Sequence, residues 1–138
     1  MEEIKVFAMK AKRDENGLIT TSMVPVVAKN NWEAMKNLIE VELFEPRFVE
    51  INNQTFEILF DAESLIPNNR VVTAVDKSMN QPYMGLFVIS RAEYSEDEGY
   101  TELSLTNQDV EEIIRHFGII KQDNQPTPAF LPDNFLAV

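Results

Sequence analysis

The chain opens on a run in which apolar and polar positions nearly alternate. Ile4, Val6, Ala8 and Lys10 share one parity, and Lys5, Phe7, Met9 and Ala11 the other, so residues 4–12 read as a strand covered on both faces. Asn16-Gly17 closes a turn, because both residue types accept positive φ. A second extended stretch is expected over 18–28. Pro25 lacks an amide donor, which places it at a sheet edge or at a break in the strand. The period then changes. Trp32, Met35, Leu38 and Ile39 recur at helical spacing behind Asn30, with Glu33 three residues beyond that cap. This predicts a helix over 31–40 with its apolar stripe on the sheet.

Alternation returns in the clearest hairpin signal of the sequence. Residues 47–51 and 55–60 flank Asn52-Asn53-Gln54, and asparagine tolerates the left-handed backbone that a tight turn needs. Pro67-Asn68-Asn69 breaks the chain. Residues 71–75 form a short strand, residues 79–82 a loop, and residues 85–94 the longest β-prone run. Residues 95–99 are a solvated acidic turn. Thr106 then caps a second helix over 107–117, with Asp109 at its third position. Arg115 and His116 lie in its last turn, matching the helix dipole. Val110, Ile113, Ile114 and Phe117 form its buried stripe, and Gly118 ends it.

Residues 122–138 change character. Pro126, Pro128 and Pro132 speak against regular structure, while Phe130, Leu131, Phe135 and Leu136 are apolar. Such a tail docks on its own domain or on a neighbouring copy. The element order predicts an α+β fold: a single domain over 1–121, mainly antiparallel sheet with two helices packed on it, followed by a proline-rich apolar tail over 122–138.

Composition narrows the chemistry. A chain of 138 residues can bury roughly two thirds of its unfolded surface, enough for a core without staples. There is no cysteine, which removes disulfides, thiolate metal sites and cysteine nucleophiles together. The opening MEEIKVFAMKAK carries two early acids and no long apolar run, and reads as neither a signal peptide nor a membrane span. A cytoplasmic protein is expected.

Charge changes the picture most. Aspartate and glutamate total 23 against 12 lysine plus arginine, a formal net charge of -11. The acids concentrate in residues 40–63 and 93–112. This balance repels nucleic acid and anionic membrane and attracts basic protein surfaces. The acids most exposed to such a role are Glu42, Glu45, Glu50, Glu57, Asp61, Glu93, Glu96, Asp97 and Glu98.

No catalytic signature accompanies them. His116, the only histidine, sits where a helix favours a cation. Glu93, Glu96, Asp97, Glu98 and Glu102 could gather a hard cation, but their spacing misses the EF-hand loop, and a solvated loop explains them better. Glu42, Glu45, Glu50 and Glu57 could include a hydrolytic carboxylate pair, yet acids on the polar side of a half-exposed sheet need no such role. The serines lie in no nucleophile elbow, and the four glycines are too scattered for a phosphate loop. Asn69-Arg70, beside a turn, could grip a carboxylate or phosphate ligand, or pair with local acids. No cofactor or metal is expected.

Four short motifs carry a resemblance: Leu38-Ile39-Glu40-Val41-Glu42 ending the first helix, the turn Ile66-Pro67-Asn68-Asn69-Arg70, Gly85 opening a strand, and Ser104-Leu105-Thr106 opening the last helix. Over residues 32–117 the chain resembles a small uncharacterised domain family of phages, plasmids and integrative elements of Gram-positive bacteria. Where members of the family often carry a glycine pair just after the first helix's leucine, this chain has Ile39-Glu40-Val41. The resemblance implies a mobile-element protein working in the host cytoplasm, and no catalytic residues.

Three functions are compatible with these features. The first is a non-enzymatic acidic binding protein that occupies a basic, nucleic-acid-binding surface of a host factor. It would bind neither nucleic acid nor membrane itself. The second is a structural or assembly protein forming a homo-oligomer through the apolar tail. The third is a small-molecule binder using Arg70 and Asn69.

Overall fold

The computed structural model describes residues 2–13, 15–16, 19–39, 42–61, 72–76, 81–84, 86–122 and 125–136. β1 (Glu3–Arg13) and β2 (Ile19–Lys29) pair antiparallel in unbroken register, from Glu3 opposite Lys29 to Arg13 opposite Ile19. Pro25 sits opposite Phe7 without interrupting the strand. It is tolerated because β2 is the outer strand of its sheet, where a missing amide can face away from the ladder.

α1 (Trp32–Ile39) follows. Its cap is Asn31 rather than the expected Asn30: Asn31 Oδ1 accepts the Ala34 N–H at 2.7 Å. The Asn30 amide instead donates to the Glu2 carbonyl at 2.9 Å, which ties that residue to the start of β1. β3 (Phe44–Ile51) and β4 (Gln54–Asp61) form the expected hairpin. Asn52 and Asn53 have φ of 49° and 65°. Two left-handed residues make a two-residue turn whose twist matches the strands, so Gln54 joins β4 rather than the loop.

β5 (Val72–Asp76), β6 (Gln81–Met84), β7 (Phe87–Ser95) and β8 (Gly99–Leu103) come next. β6 takes in Gln81 and Pro82, which were expected in a loop, and β8 had no counterpart in the sequence reading. α2 (Asn107–Arg115) has a reciprocal cap: Thr106 Oγ1 accepts the Asp109 N–H at 3.0 Å, and Asp109 Oδ2 accepts the Thr106 N–H at 2.9 Å. It stops earlier than expected. His116 caps it, and β9 (Phe117–Gln122) begins at once. Gly118 is therefore a strand residue and not the helix stop. A Cβ there would meet Leu131 Cδ1 at 2.7 Å, so close packing against residue 131 favours glycine. Ile114, expected in the buried stripe, is 54% exposed.

The tail is folded. β10 (Gln125–Phe130) pairs antiparallel with β9, and β11 (Asn134–Phe135) pairs antiparallel with β3. The prolines do not prevent this. Among the described residues β5 meets β10 only at Phe130, so around Pro126 and Pro128 the ladder lies on one side alone. Ala129 and Phe130 are fully buried, so the apolar part of the tail docks on its own chain.

Among the described residues the fold is α+β and mainly antiparallel, but with two sheets rather than one. The larger runs β11-β3-β4-β7-β1-β2, with β8 also on β7; the smaller runs β6-β5-β10-β9. The one parallel pairing among the described residues is β5 with β10. The helices lie on opposite faces of the larger sheet. Met35 of α1 approaches Ile4, Leu59 and Val88 on one face. Asp109 of α2 reaches Arg91, which has the other parity. On that second face the Phe117 ring lies 5.8 Å from Phe7 and 5.6 Å from Phe130, joining the two sheets in one core with Phe56, Phe87 and Ile113.

Candidate functional site

The α1 face of the larger sheet is apolar where β1, β4 and β7 run side by side: Val6, Leu59, Val88 and Ala92 are all buried. Glu57 lies on this face, 6% exposed. Its position follows from strand parity, since Glu57 alternates with Ile58 and shares the side of Leu59. Arg91 pairs with Phe56 on one side and Leu103 on the other, so β4 and β8 flank β7. Glu57 stands opposite Ser90, and Glu102 opposite Ala92. Serine and alanine leave room above β7, and two long acidic side chains meet there: Glu57 and Glu102 are hydrogen-bonded.

Aromatic residues close in around the pair. Phe48, opposite Glu57 on β3, stacks on Tyr100 of β8 with ring centroids 3.8 Å apart and planes at 17°. That contact reaches across both β4 and β7, so the sheet curls towards this face. Tyr94 packs edge-on against Tyr100 at 5.1 Å. Trp32 of α1 meets Phe44 at 5.2 Å and 89°. A cleft of about 250 Å³ remains between α1 and the sheet. Ile4, Val6, Met35, Leu59 and Val88 supply its apolar walls; Glu57, Ser90 and Glu102 are its polar groups from the sheet. Asn30, Asn31 and Trp32 line the α1 side, and Trp32 is 48% exposed.

Burial, then the charge of Glu102, then the hydrogen bond between the two carboxyls push Glu57 from an ordinary 4.5 up to about 8. Glu57 thus holds a proton at neutral pH. Its Oε1 is buried with no hydrogen-bond partner. Among the described residues no lysine, arginine or histidine lines the cleft to neutralise the pair. Carboxyls in hydrogen-bond contact are closer than the roughly 5–5.5 Å or 6.5–9.5 Å separations of glycoside hydrolysis. What the pair can do chemically is keep a shared proton or exchange it for another cation. Among the described residues no group of three or more histidine, aspartate or glutamate side chains is arranged to hold a metal ion.

The acids named from sequence do not form one face. Glu42 lies just before β3 and Glu45 at its start, beside the end of β4 where Asp61 stands; the side chain of Asp61 is not among those described. Glu45 is exposed and ion-paired with Arg47 at 3.4 Å. Glu50 lies at the far end of β3 and accepts from Asn134 Nδ2 at 3.1 Å. Glu93, Glu96, Asp97 and Glu98 are exposed on the β7–β8 hairpin. Because β4 and β7 are antiparallel, this hairpin and the Asn52-Asn53 turn point from the same end of the sheet. Glu112 and Asp133 gather there too, accepting from Asn52 Nδ2 at 2.5 Å and from the Asn52 amide at 2.9 Å. Glu57 is the exception and a correction: it is a buried member of the cleft, not a solvated contact acid.

The other candidates fare differently. Asn69 and Arg70 lie outside the described residues. His116 is held structurally: Nδ1 donates to the Glu112 carbonyl at 2.7 Å, and Nε2 lies 3.2 Å from Asp133 Oδ1. The sequence reading missed the Glu57–Glu102 pair and Ser90 as site residues. One signal was available, a single acid inside the apolar run Phe56-Glu57-Ile58-Leu59-Phe60. Among the described residues no helix is long and apolar enough to cross a membrane. Comparison of the chain with protein-family models, with curated proteins and with solved structures finds no match.

Proposed function

We propose that this chain is a non-enzymatic binding protein whose partner presents a basic surface. The contact is made at the hairpin end of the larger sheet, through Glu93, Glu96, Asp97 and Glu98 beside the exposed ring of Tyr94. One observation carries the reading: among the described residues these four acids have no ion-pair partner, while Glu45, Asp109, Glu111 and Glu112 each have an arginine. Uncompensated carboxylates on a protruding hairpin steer a cationic surface and match it on docking. An exposed tyrosine adds contact area at small entropic cost. The resemblance over residues 32–117 to a domain family of mobile elements supports a host protein as partner. A surface that otherwise holds nucleic acid fits the charge.

The experiment is capture of bacterial proteins by the immobilised chain at low and at high salt, alongside a variant with Glu93→Gln, Glu96→Gln, Asp97→Asn and Glu98→Gln. A basic partner held at low salt, released at high salt and not captured by the variant is the expected result. Retention indifferent to salt and to the four substitutions would refute the proposal. The tail gives little support to an assembly role, since Ala129 and Phe130 are buried within this chain.

A further inference from the structure

The cleft beneath α1 is not part of the hairpin surface, yet it opens on the same curled face of the sheet. Its composition is unusual for a packing defect. A defect is lined by apolar groups and stays dry. Here Glu57, more than nine-tenths buried, is one of the lining residues, and its Oε1 is itself buried with no hydrogen-bond partner. A buried polar atom left unmatched is unfavourable unless something else meets it. The second carboxyl, of Glu102, and the hydroxyl of Ser90 converge on the same volume.

The chemistry of the lining selects a ligand. A carboxyl pair with acceptor oxygens to spare and no basic residue among the described lining residues calls for a donor carrying positive charge. The walls of Ile4, Val6, Met35, Leu59 and Val88 suit an aliphatic stem. Trp32 offers an aromatic face at the α1 side, where a passing cation is attracted by the ring. An ammonium is compact and carries three donors, matching acceptors that converge from different strands. A guanidinium is flat and forked, and suits one carboxylate approached edge-on.

We propose that this cleft receives a single lysine side chain from the basic partner, its ammonium seated between Glu57 and Glu102 and its stem along the apolar walls. The inference rests on the basic-partner reading, and it adds the anchor to what is otherwise a diffuse charge contact. Diffuse acids provide steering; one buried, hydrogen-bonded cation provides register and slows dissociation.

Trp32 is the only tryptophan, so its emission reports on the cleft in the full-length chain. Acetyl-lysine-methylamide with a free side-chain amine is titrated at fixed ionic strength against its norleucine and arginine counterparts. The expected result is a saturable change with the lysine compound in the millimolar range, at least tenfold weaker with arginine and absent with norleucine. Glu57→Gln and Glu102→Gln, each checked for a native circular dichroism spectrum, are expected to weaken lysine binding at least tenfold. The four-fold hairpin variant is expected to leave it unchanged, so loss of partner capture and loss of the lysine site are separable. An equal response to norleucine, tighter binding of arginine, or full lysine binding by both folded variants would overturn the proposal.

Discussion

Glu57 of β4 and Glu102 of β8 hydrogen-bond to each other across the intervening strand β7, and that bond requires one of the two carboxyls to carry a proton. A buried acid pair is therefore built into the face of the sheet that α1 only partly covers. It links stability to pH and leaves an acceptor site in a cleft.

Stability should fall as pH rises through the neutral range. Below pH 4.5 Glu57 is protonated in both folded and unfolded chains and contributes no difference. Between 4.5 and about 8 the unfolded chain releases the proton and the folded one keeps it. The folded state then binds more protons, so its stability declines with pH and levels off above the folded value. Each tenfold change in the proton equilibrium is worth about 1.4 kcal/mol, which makes the whole window on the order of 5 kcal/mol. Urea unfolding of wild type and Glu57→Gln from pH 5 to pH 9 measures it. The wild type should weaken across that range, and the variant, with no proton to lose at residue 57, should show a much flatter profile.

Asp109 should be among the most sensitive positions in α2. It is 2% exposed, caps the helix through the Thr106 backbone, and pairs with Arg91 Nη1 at 3.1 Å. Asp109→Ala removes both contacts, and a loss of roughly 2–3 kcal/mol is expected by chemical denaturation. Thr106→Ala removes only its half of the cap and should cost about 1 kcal/mol.

Much of this was legible before any coordinates, and the legible part is local. Thr106 and Asp109 name a cap three residues apart; Asn52-Asn53 name a turn; β1 and β7 announce themselves by run length. What failed to show depends on partners distant in the chain. Gly118 looks like a helix stop until Leu131 is seen against it. Pro126 and Pro128 look like breakers until β10 is found with, among the described residues, one flanking strand there. Glu57 looks like a surface acid until β8 brings Glu102 over Ser90 and Ala92. Its apolar neighbours were the available warning, but no periodicity in the sequence says which strand will lie two places away.

The hairpin turn offers a local test. Asn53 has φ of 65°, a conformation that costs a residue with a Cβ about 1 kcal/mol or more unless, like asparagine, it bonds locally. Asn53→Ala should lower the midpoint of thermal unfolding, while Asn53→Gly should leave it within a degree or two of wild type.

Gly118 tests the packing of the tail. Since its φ is not in the left-handed region, the obstacle to a side chain is Leu131 alone. Gly118→Ala is expected to cost about 1 kcal/mol, at the low end for overpacking because the obstructing atom is the free end of a side chain. In a Leu131→Ala background that increment should vanish, which a double-mutant cycle reads directly.

The proton held by the carboxyl pair is what the account depends on, and carbon-detected NMR titration of the side-chain carboxyls observes it without intermediaries. Glu57 should titrate near pH 8, and Glu102→Gln, which removes the neighbouring charge but not the burial, should lower that value only in part. A Glu57 carboxyl that ionises near 4.5, in wild type and variant alike, would contradict the buried pair and the cleft built on it.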